Sequence, residues 1–221
     1  TTVIVQQRLL DGDGKIVKAE GKEVMARTTL KLDKEKTAEV VQNLLVSHPK
    51  LWDLDFPYRY TVETIIKKGG KTIDKYLTPF GIRSVKFDKD KGFFLNNKHL
   101  KLKGMCLHQD AGCLGTAVPD RAYERRLLIL KEFGTNAIRC SHNPPSPEFL
   151  NYCDSIGFLV IDEAFDKWKS GYYEEFFDSS WQQDISDMVI RDRNHPSVIL
   201  WSIGNELAEA KLKDDTGIER A

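Results

Sequence analysis

The sequence predicts a multidomain chain: an all-β, immunoglobulin-like sandwich followed by the first half of an α/β (β/α)8 TIM barrel. Three observations carry this. Short runs that alternate apolar and polar residues fill the stretch before Asp88. Near-continuous apolar runs joined by helical patterns fill the stretch after it. Each of the later apolar runs ends in charged or imidazole side chains. The two domains are read as residues 1–88 and 89–221.

In the first stretch, Val24, Ala26, Thr28, Leu30 and Leu32 share one face, and Tyr58, Tyr60, Val62, Thr64 and Ile66 share another. A period of two is what half-buried strands require. Asp11-Gly12-Asp13-Gly14 and Lys68-Gly69-Gly70-Lys71 separate apolar runs as hairpin loops do, and Pro49, Pro57 and Pro79 mark strand edges or connections. About seven such strands in one small domain suggest an antiparallel sandwich. The Asp-Gly-Asp-Gly run lacks the further ligands and distal Glu of a calcium loop, so it reads as a turn.

Residues 93–100 read as a hairpin around Asn96-Asn97, and the second domain opens there. Residues 104–108 form an apolar strand. Asp120 can cap a helix with Tyr123, Leu127 and Leu130 on one face, ended by Gly134. Residues 137–140 are the next strand. Ser146 as N-cap, Pro147 in the first helical position and Gly157 beyond the last turn delimit a second helix. Residues 158–161 follow as a strand. A third helix turns Trp181, Ile185, Met188 and Val189 inward, and residues 198–203 are the fourth strand. This βαβαβαβ order means a parallel sheet covered by helices. An open doubly wound sheet would carry a Gly-rich phosphate loop after its first strand, and Leu107-His108-Gln109-Asp110-Ala111-Gly112 has no such spacing. A barrel of which four strands are present fits better, the rest falling beyond Ala221.

The 33 basic and 33 acidic residues of the 221 cancel and are dispersed, so neither nucleic acid nor an anionic membrane is an expected partner. No run approaches a membrane span, and the N-terminus lacks the zones of a signal peptide, which leaves cytoplasm and periplasm both open. Cys106, Cys113, Cys140 and Cys153 follow no zinc or CxxC spacing and read as free thiols.

On a β/α barrel the functional face is the C-terminal end of the strands. The four strands end in His108-Gln109-Asp110, Arg139-Cys140-Ser141-His142-Asn143, Asp162-Glu163 and Asn205-Glu206. Charges placed just beyond apolar runs are costly to bury, so four together argue for a purpose. Singly, each has a plainer reading: His108 or His142 as a satisfied histidine, Arg139 and Glu163 as an ion pair or as an orienting pair, Asp162 as a structural hydrogen-bonding group. Two rival functions use the same residues. A metal-dependent amide hydrolase would take His108, Asp110, His142 and Glu163 as ligands, and a carbohydrate-binding module would keep the fold without turnover.

Trp201-Ser202-Ile203-Gly204-Asn205-Glu206, Arg139-Cys140-Ser141-His142-Asn143-Pro144-Pro145, Ile161-Asp162-Glu163-Ala164 and Lys103-Gly104-Met105-Cys106-Leu107-His108-Gln109-Asp110 together resemble glycoside hydrolase family 2. Phe80-Gly81-Ile82-Arg83 and the hairpin after Phe94 look like the junction between that family's immunoglobulin-like domain and its barrel. The resemblance implies a retaining β-glycosidase with Glu206 as acid/base and Asn205 on the sugar 2-hydroxyl. It implies that His108, Asp110 and His142 contact sugar hydroxyls, that Arg139 and Glu163 support the site, and that the nucleophile lies beyond Ala221. Within the family the first- and second-strand segments look most like β-galactosidases, with β-glucuronidases similar there. The implied partner is an oligosaccharide or other β-glycoside, and a homo-oligomer is compatible with it. Half a barrel tested alone would lack the second carboxylate, so no turnover is expected of it. Trp201 is expected as an apolar wall that keeps Glu206 protonated. Some members bind magnesium after the third strand; Phe165-Asp166-Lys167-Trp168-Lys169 has lysines there, so no metal or other cofactor is expected.

Overall fold

A computed structural model of the chain describes residues 1–168 and 171–207. It divides into two compact units, Thr1–Trp52 with Tyr58–Ile82, and Asp53–Pro57 with Arg83–Ala221. The division falls at Ile82 and Arg83, ahead of the Asp88 boundary taken from composition, and gives the segment Asp53–Pro57 to the second unit.

The first unit holds β1 (Thr2–Leu10), β2 (Lys18–Ala19), β3 (Lys22–Glu23), β4 (Met25–Lys31), β5 (Tyr60–Lys68) and β6 (Lys71–Phe80). An antiparallel sheet runs in the order β4-β1-β5-β6, and β2 and β3 form a separate ribbon. Gly69 and Gly70, both at positive φ, make the two-residue turn of the β5–β6 hairpin. Asp11 Oδ1 accepts the backbone N–H groups of Asp13 and Lys15, so its carboxylate closes a turn. Leu9, Tyr60 and Phe80 of the sheet pack with Val17, Val24, Leu44 and Val46 into the core of this unit. The outer side of β5 is covered too. Glu63 is buried between Arg8 and Lys75, and the Arg8 guanidinium, opposed by burial and aided by Lys75, holds its carboxyl below the usual range.

The second unit opens with β7 (Val85–Asp88), β8 (Gly92–Leu95) and β9 (Lys98–His99), and Asn96 and Asn97 take the positive φ that a tight hairpin needs. Then come β10 (Gly104–His108), α1 (Asp120–Glu132), β11 (Ala137–Ser141), α2 (Pro147–Ile156), β12 (Leu159–Glu163), α3 (Glu174–Asp192) and β13 (Val198–Ser202). The strands are parallel and stand in sequence order, β10-β11-β12-β13. A doubly wound sheet reverses its order partway; a barrel wall does not. Tyr123 and Leu127 of α1 and Phe149, Leu150 and Cys153 of α2 pack on Ile138, Cys140, Val160 and Val198. Phe177 and Met188 bury the inner side of α3, with Trp181, Ile185 and Val189 packed around them.

The helix ends follow local chemistry with one difference. Ser146 Oγ accepts the N–H of Phe149 at 3.3 Å, and Pro147 stands first in α2. Gly157 ends α2 at φ 85, where a Cβ would lie 2.2 Å from the Leu54 carbonyl oxygen. Asp120 is not the cap of α1. Pro119 takes that position and Asp120 is the first helical residue, its charge facing the helix's positive end instead. At the base of β13, Asp154 accepts from His195 Nδ1, Ser197 Oγ and Ser197 N–H, while Arg83 donates to the carbonyls of Pro196 and Val198. The β12–β13 register shifts between Val160 and Ile161, so Ile199 has no partner and Leu200, Trp201 and Ser202 pair with Ile161, Asp162 and Glu163. Cys140 and Cys153 are buried, Cys106 and Cys113 are exposed, and all four are free thiols.

Asp162 points away from the barrel interior into the helix layer. It is fully buried and faces the Asp192 carboxylate of α3. Burial, and then the Asp192 carboxylate of α3, push it up to about 8. The folded protein thus keeps a proton that the unfolded chain sheds in the usual carboxylate range. Stability conferred by that proton is complete at acid pH and is lost as pH rises toward about 8. Asp162→Asn should remove this slope. Melting temperatures of the complete protein at pH 5 and pH 8.5 check it; parallel pH dependence in both proteins would refute the assignment.

Candidate active site

The inner faces of the four parallel strands place the site. Residues paired across parallel strands share a face, so Cys106 lines up with Arg139, Arg139 with Ile161, and Glu163 with Ser202. Glu163 is the hub. Its side chain is fully buried, yet it accepts from Arg139 Nε at 2.9 Å and Ser202 Oγ at 2.7 Å on Oε2, and lies 2.6 Å from His142 Nδ1 on Oε1. An isolated buried carboxylate would be prohibitively costly, and the two flanking strands, β11 and β13, supply the compensation. Glu163 in turn holds the Arg139 guanidinium further above its usual range. With Nδ1–H given to a carboxylate, His142 keeps Nε2 for another partner. His108, at the end of β10, stands edge to face with His142 at 5.2 Å between ring centres, and the Ser141–His142 peptide is cis.

Beyond β13 the chain turns at Gly204, φ 156, where a Cβ would come 2.7 Å from Leu207 Cδ2 and 3.2 Å from Trp168 Nε1, so a larger residue would strain the backbone and press on both side chains. Trp168 is buried and donates Nε1–H to the Ile203 carbonyl at 2.8 Å. Asn205 is held by three hydrogen bonds. Its N–H reaches the Asp166 carbonyl at 2.6 Å, its Nδ2 the Asp166 Oδ1 at 2.9 Å, and its Oδ1 accepts from Arg139 Nη2 at 3.1 Å. Cation on one side and carboxylate on the other leave only one sense for the amide. Glu206 sits at φ 48, a left-handed conformation costing a residue with a side chain about 1 kcal/mol. Its Oε2 lies 3.3 Å from Lys167 Nζ.

Arg139, His142, Glu163 and Asn205 are thus one bonded network, joined by His108 through ring contact and by Glu206 through Lys167. Asp110 stands apart: its exposed carboxylate faces Arg126 of α1 at 4.0 Å. Arg139 with Glu163 is both an ion pair and an orienting pair, since the same guanidinium holds Asn205. Trp201 is not a wall beside Glu206. It pairs with Asp162 and leaves β13 on the helix face, while Ser202 points inward to Glu163. Asp166, Lys167, Trp168 and Ser202 were not singled out from the sequence as site residues. The only signal for the first three was an aromatic and charged run just past a barrel strand. Asn205 holds Asp166 below the usual carboxylate range, with Lys167 adding to this, and Asp166 and then Glu206 raise Lys167.

A cavity of about 870 Å³ opens beside this network, between the turn after β11 and the start of α3, with Pro144, Phe165, Lys167, Tyr172, Tyr173 and Met188 in its lining. It is roomy enough for a group the size of a sugar or aryl ring. The site does not fit the divalent cation that some relatives of this kind carry after the third strand. An ammonium, that of Lys167, stands 3.1 Å from both Asp166 carboxylate oxygens and beside Glu206. Lys169, the second lysine of that stretch, lies outside the described residues. The amide-hydrolase ligand set does not converge either, because Glu163 is taken up by Arg139, Ser202 and His142 while Asp110 faces Arg126.

Two family models match in tandem: "Glycosyl hydrolases family 2" over residues 1–83 and "Glycosyl hydrolases family 2, TIM barrel domain" over residues 85–216. The chain is 51% identical over 206 residues to a protein named Beta-galactosidase BoGH2A from Bacteroides ovatus, covering 90% of this chain and 24% of that one. It is 31% identical over 218 residues to a Beta-glucuronidase from Bacteroides fragilis, covering 94% of this chain and 31% of that one. A crystal structure of a glycosyl hydrolase family 2 member from Bacteroides cellulosilyticus superposes with a TM-score of 0.90 at 43% identity, over 100% of this chain and 28% of that one. The chain spans about a quarter of the length of the curated relative it matches at 51% identity.

Proposed function

We propose that the complete protein hydrolyses terminal β-glycosidic bonds, foremost β-D-galactosides, with retention, and the premise is its family: the chain belongs to glycosyl hydrolases family 2. The observation that carries the reading is Glu206 at the mouth of the fourth barrel strand, next to an Asn205 amide fixed by Arg139 and Asp166. Retention needs an acid on one side of the scissile bond and a nucleophilic carboxylate about 5–5.5 Å away. Glu206 is the acid of this scheme; the nucleophile belongs to a later strand of the barrel. In the first step the Glu206 proton passes to the leaving oxygen as the glycosyl–oxygen bond breaks. In the second, the same carboxylate takes a proton from the water that releases the sugar.

The remaining lone pair and N–H of Asn205, and the Nε2 of His142, are the atoms offered to sugar hydroxyls. His108 and Asp110 are assigned to hydroxyl contacts as well. A neutral glycone is supported by the two cations of the described mouth, Arg139 and Lys167, being already paired with carboxylates. β-Glucuronide hydrolysis is the second reading, favoured by the relative that carries that name. No cofactor takes part in the proposed chemistry.

The test is to assay the complete protein with paired aryl β-galactoside and β-glucuronide, following the anomer first released by NMR. Release of the β-anomer from the galactoside supports the proposal; the α-anomer first, or preference for the glucuronide, overturns the mechanism or the glycone respectively. His108→Ala should lower kcat/KM by about 10–100-fold, the loss expected for one or two hydroxyl contacts of 1.4–2.8 kcal/mol. A folded variant with unchanged kcat/KM would return His108 to a structural role.

A further inference from the structure

The loop after β12 reaches the two residues after β13 with two of its own. Asp166 takes the N–H and the Nδ2–H of Asn205, and Lys167 spans from both Asp166 carboxylate oxygens, at 3.1 Å, to Glu206 Oε2, at 3.3 Å. The ammonium approaches Glu206 through Oε2. Glu206 also holds a left-handed backbone that its neighbours must maintain. Lys167 is two-thirds covered and Glu206 is exposed. Pairs of that kind contribute about 0–1 kcal/mol to stability, so fold stability does not explain the arrangement; geometry does.

We propose that Lys167 is a positioning residue for the acid/base step: its ammonium fixes Glu206 by Oε2 so that Oε1 carries and collects the proton, and Asp166 holds both the ammonium and Asn205 in place. This rests on Glu206 being the acid/base. In glycosyl transfer to the enzyme, Oε1–H gives its proton to the leaving oxygen while Lys167 remains hydrogen-bonded at Oε2. In hydrolysis of the glycosyl-enzyme, Oε1 takes the proton of the attacking water. Lys167 keeps its own proton throughout, so the charge balance of each step is unchanged. A side chain thereby does the orienting that a bound cation would do between carboxylates, and it cannot be removed by a chelator.

The experiment uses the complete enzyme and the glycone that the wild type accepts, with a methyl and a 2,4-dinitrophenyl leaving group. Methanol needs protonation to leave; dinitrophenolate does not. Lys167→Ala and Lys167→Met should each lose about 30-fold in kcat/KM on the methyl glycoside and under about 3-fold on the dinitrophenyl one, a part of the ~10²–10⁴-fold that an acid/base supplies. Lys167→Arg should recover most of the loss. Equal losses on both substrates, no loss on the methyl glycoside, or rescue by Met as complete as by Arg would overturn the proposal. So would EDTA reproducing the methyl-specific loss in the wild type. Glu206→Gln run in parallel separates the two readings: a leaving-group split there without one in Lys167→Ala refutes the role of Lys167 alone, and no split in either refutes the acid assignment with it.

Discussion

Glu206→Gln in the complete enzyme should reduce kcat/KM on alkyl or sugar β-galactosides by about 10²–10⁴-fold, while sparing much of the first step for activated aryl glycosides. The amide keeps the size of the side chain and one oxygen for Lys167, so the site keeps its shape and loses its proton. A poor leaving group must then depart as an alkoxide. A dinitrophenolate leaves without help, and the glycosyl-enzyme accumulates because no base activates the incoming water. A pre-steady-state burst of phenolate followed by slow turnover is the expected trace. If both substrate types lose activity equally, or neither does, Glu206 is not the proton donor.

The second large effect is expected at Glu163, which touches no proposed substrate atom. Its carboxylate, fully buried, is the shared acceptor of Arg139 in β11, His142 just after β11 and Ser202 in β13. Glu163→Ala leaves the Arg139 guanidinium facing no counter-charge in a mostly enclosed place, a loss of about 3–5 kcal/mol. It also frees the His142 ring and loosens the grip of Arg139 on Asn205. Denaturant titration should show the stability loss, and kcat/KM at a temperature where the variant is fully folded should still be depressed. Ser202→Ala, removing one neutral donor, should cost about 1 kcal/mol and little activity. Equal effects from the two variants would mean that Glu163 is not a charged hub.

The parts of this architecture that were legible in the sequence are those governed by local period and local chemistry. The strands β10 to β13 stood out because unbroken apolar runs of that length suit a parallel sheet covered by helices, and α2 because Ser146, Pro147 and Gly157 each have a local reason to be where they are. The polar ends of those strands followed from the same runs. What was not legible depends on register and on contacts distant in sequence. Trp201 was placed beside Glu206 when only its distance along the chain was known, and pairing with Asp162 turns it to the other side. Asp166, Lys167 and Trp168 lie in a loop without period, and they meet Asn205, Glu206 and Ile203 across nearly forty positions. The neighbour that raises Asp162, Asp192 on α3, is invisible until the helix is docked. The transfer of Asp53–Pro57 to the second unit has the same origin, since Gly157 and Lys131 meet Leu54 only after folding.

The unpartnered Ile199 makes the orientation of the turn that carries Asn205 and Glu206 a matter of parity. With it, Ser202 stands opposite Glu163; without it, each later residue of β13 would shift by one, and the indole of Trp201 would enter the space where the serine hydroxyl now meets Glu163. Asn205 and Glu206 would be carried round with it. Within β13, between Val198 and Ser202, an odd insertion or deletion would therefore turn the later residues to the wrong face, whatever the chemistry of the residue gained or lost. Proteins that diverge on this scaffold must inherit the length of the strand that delivers Asn205 and Glu206.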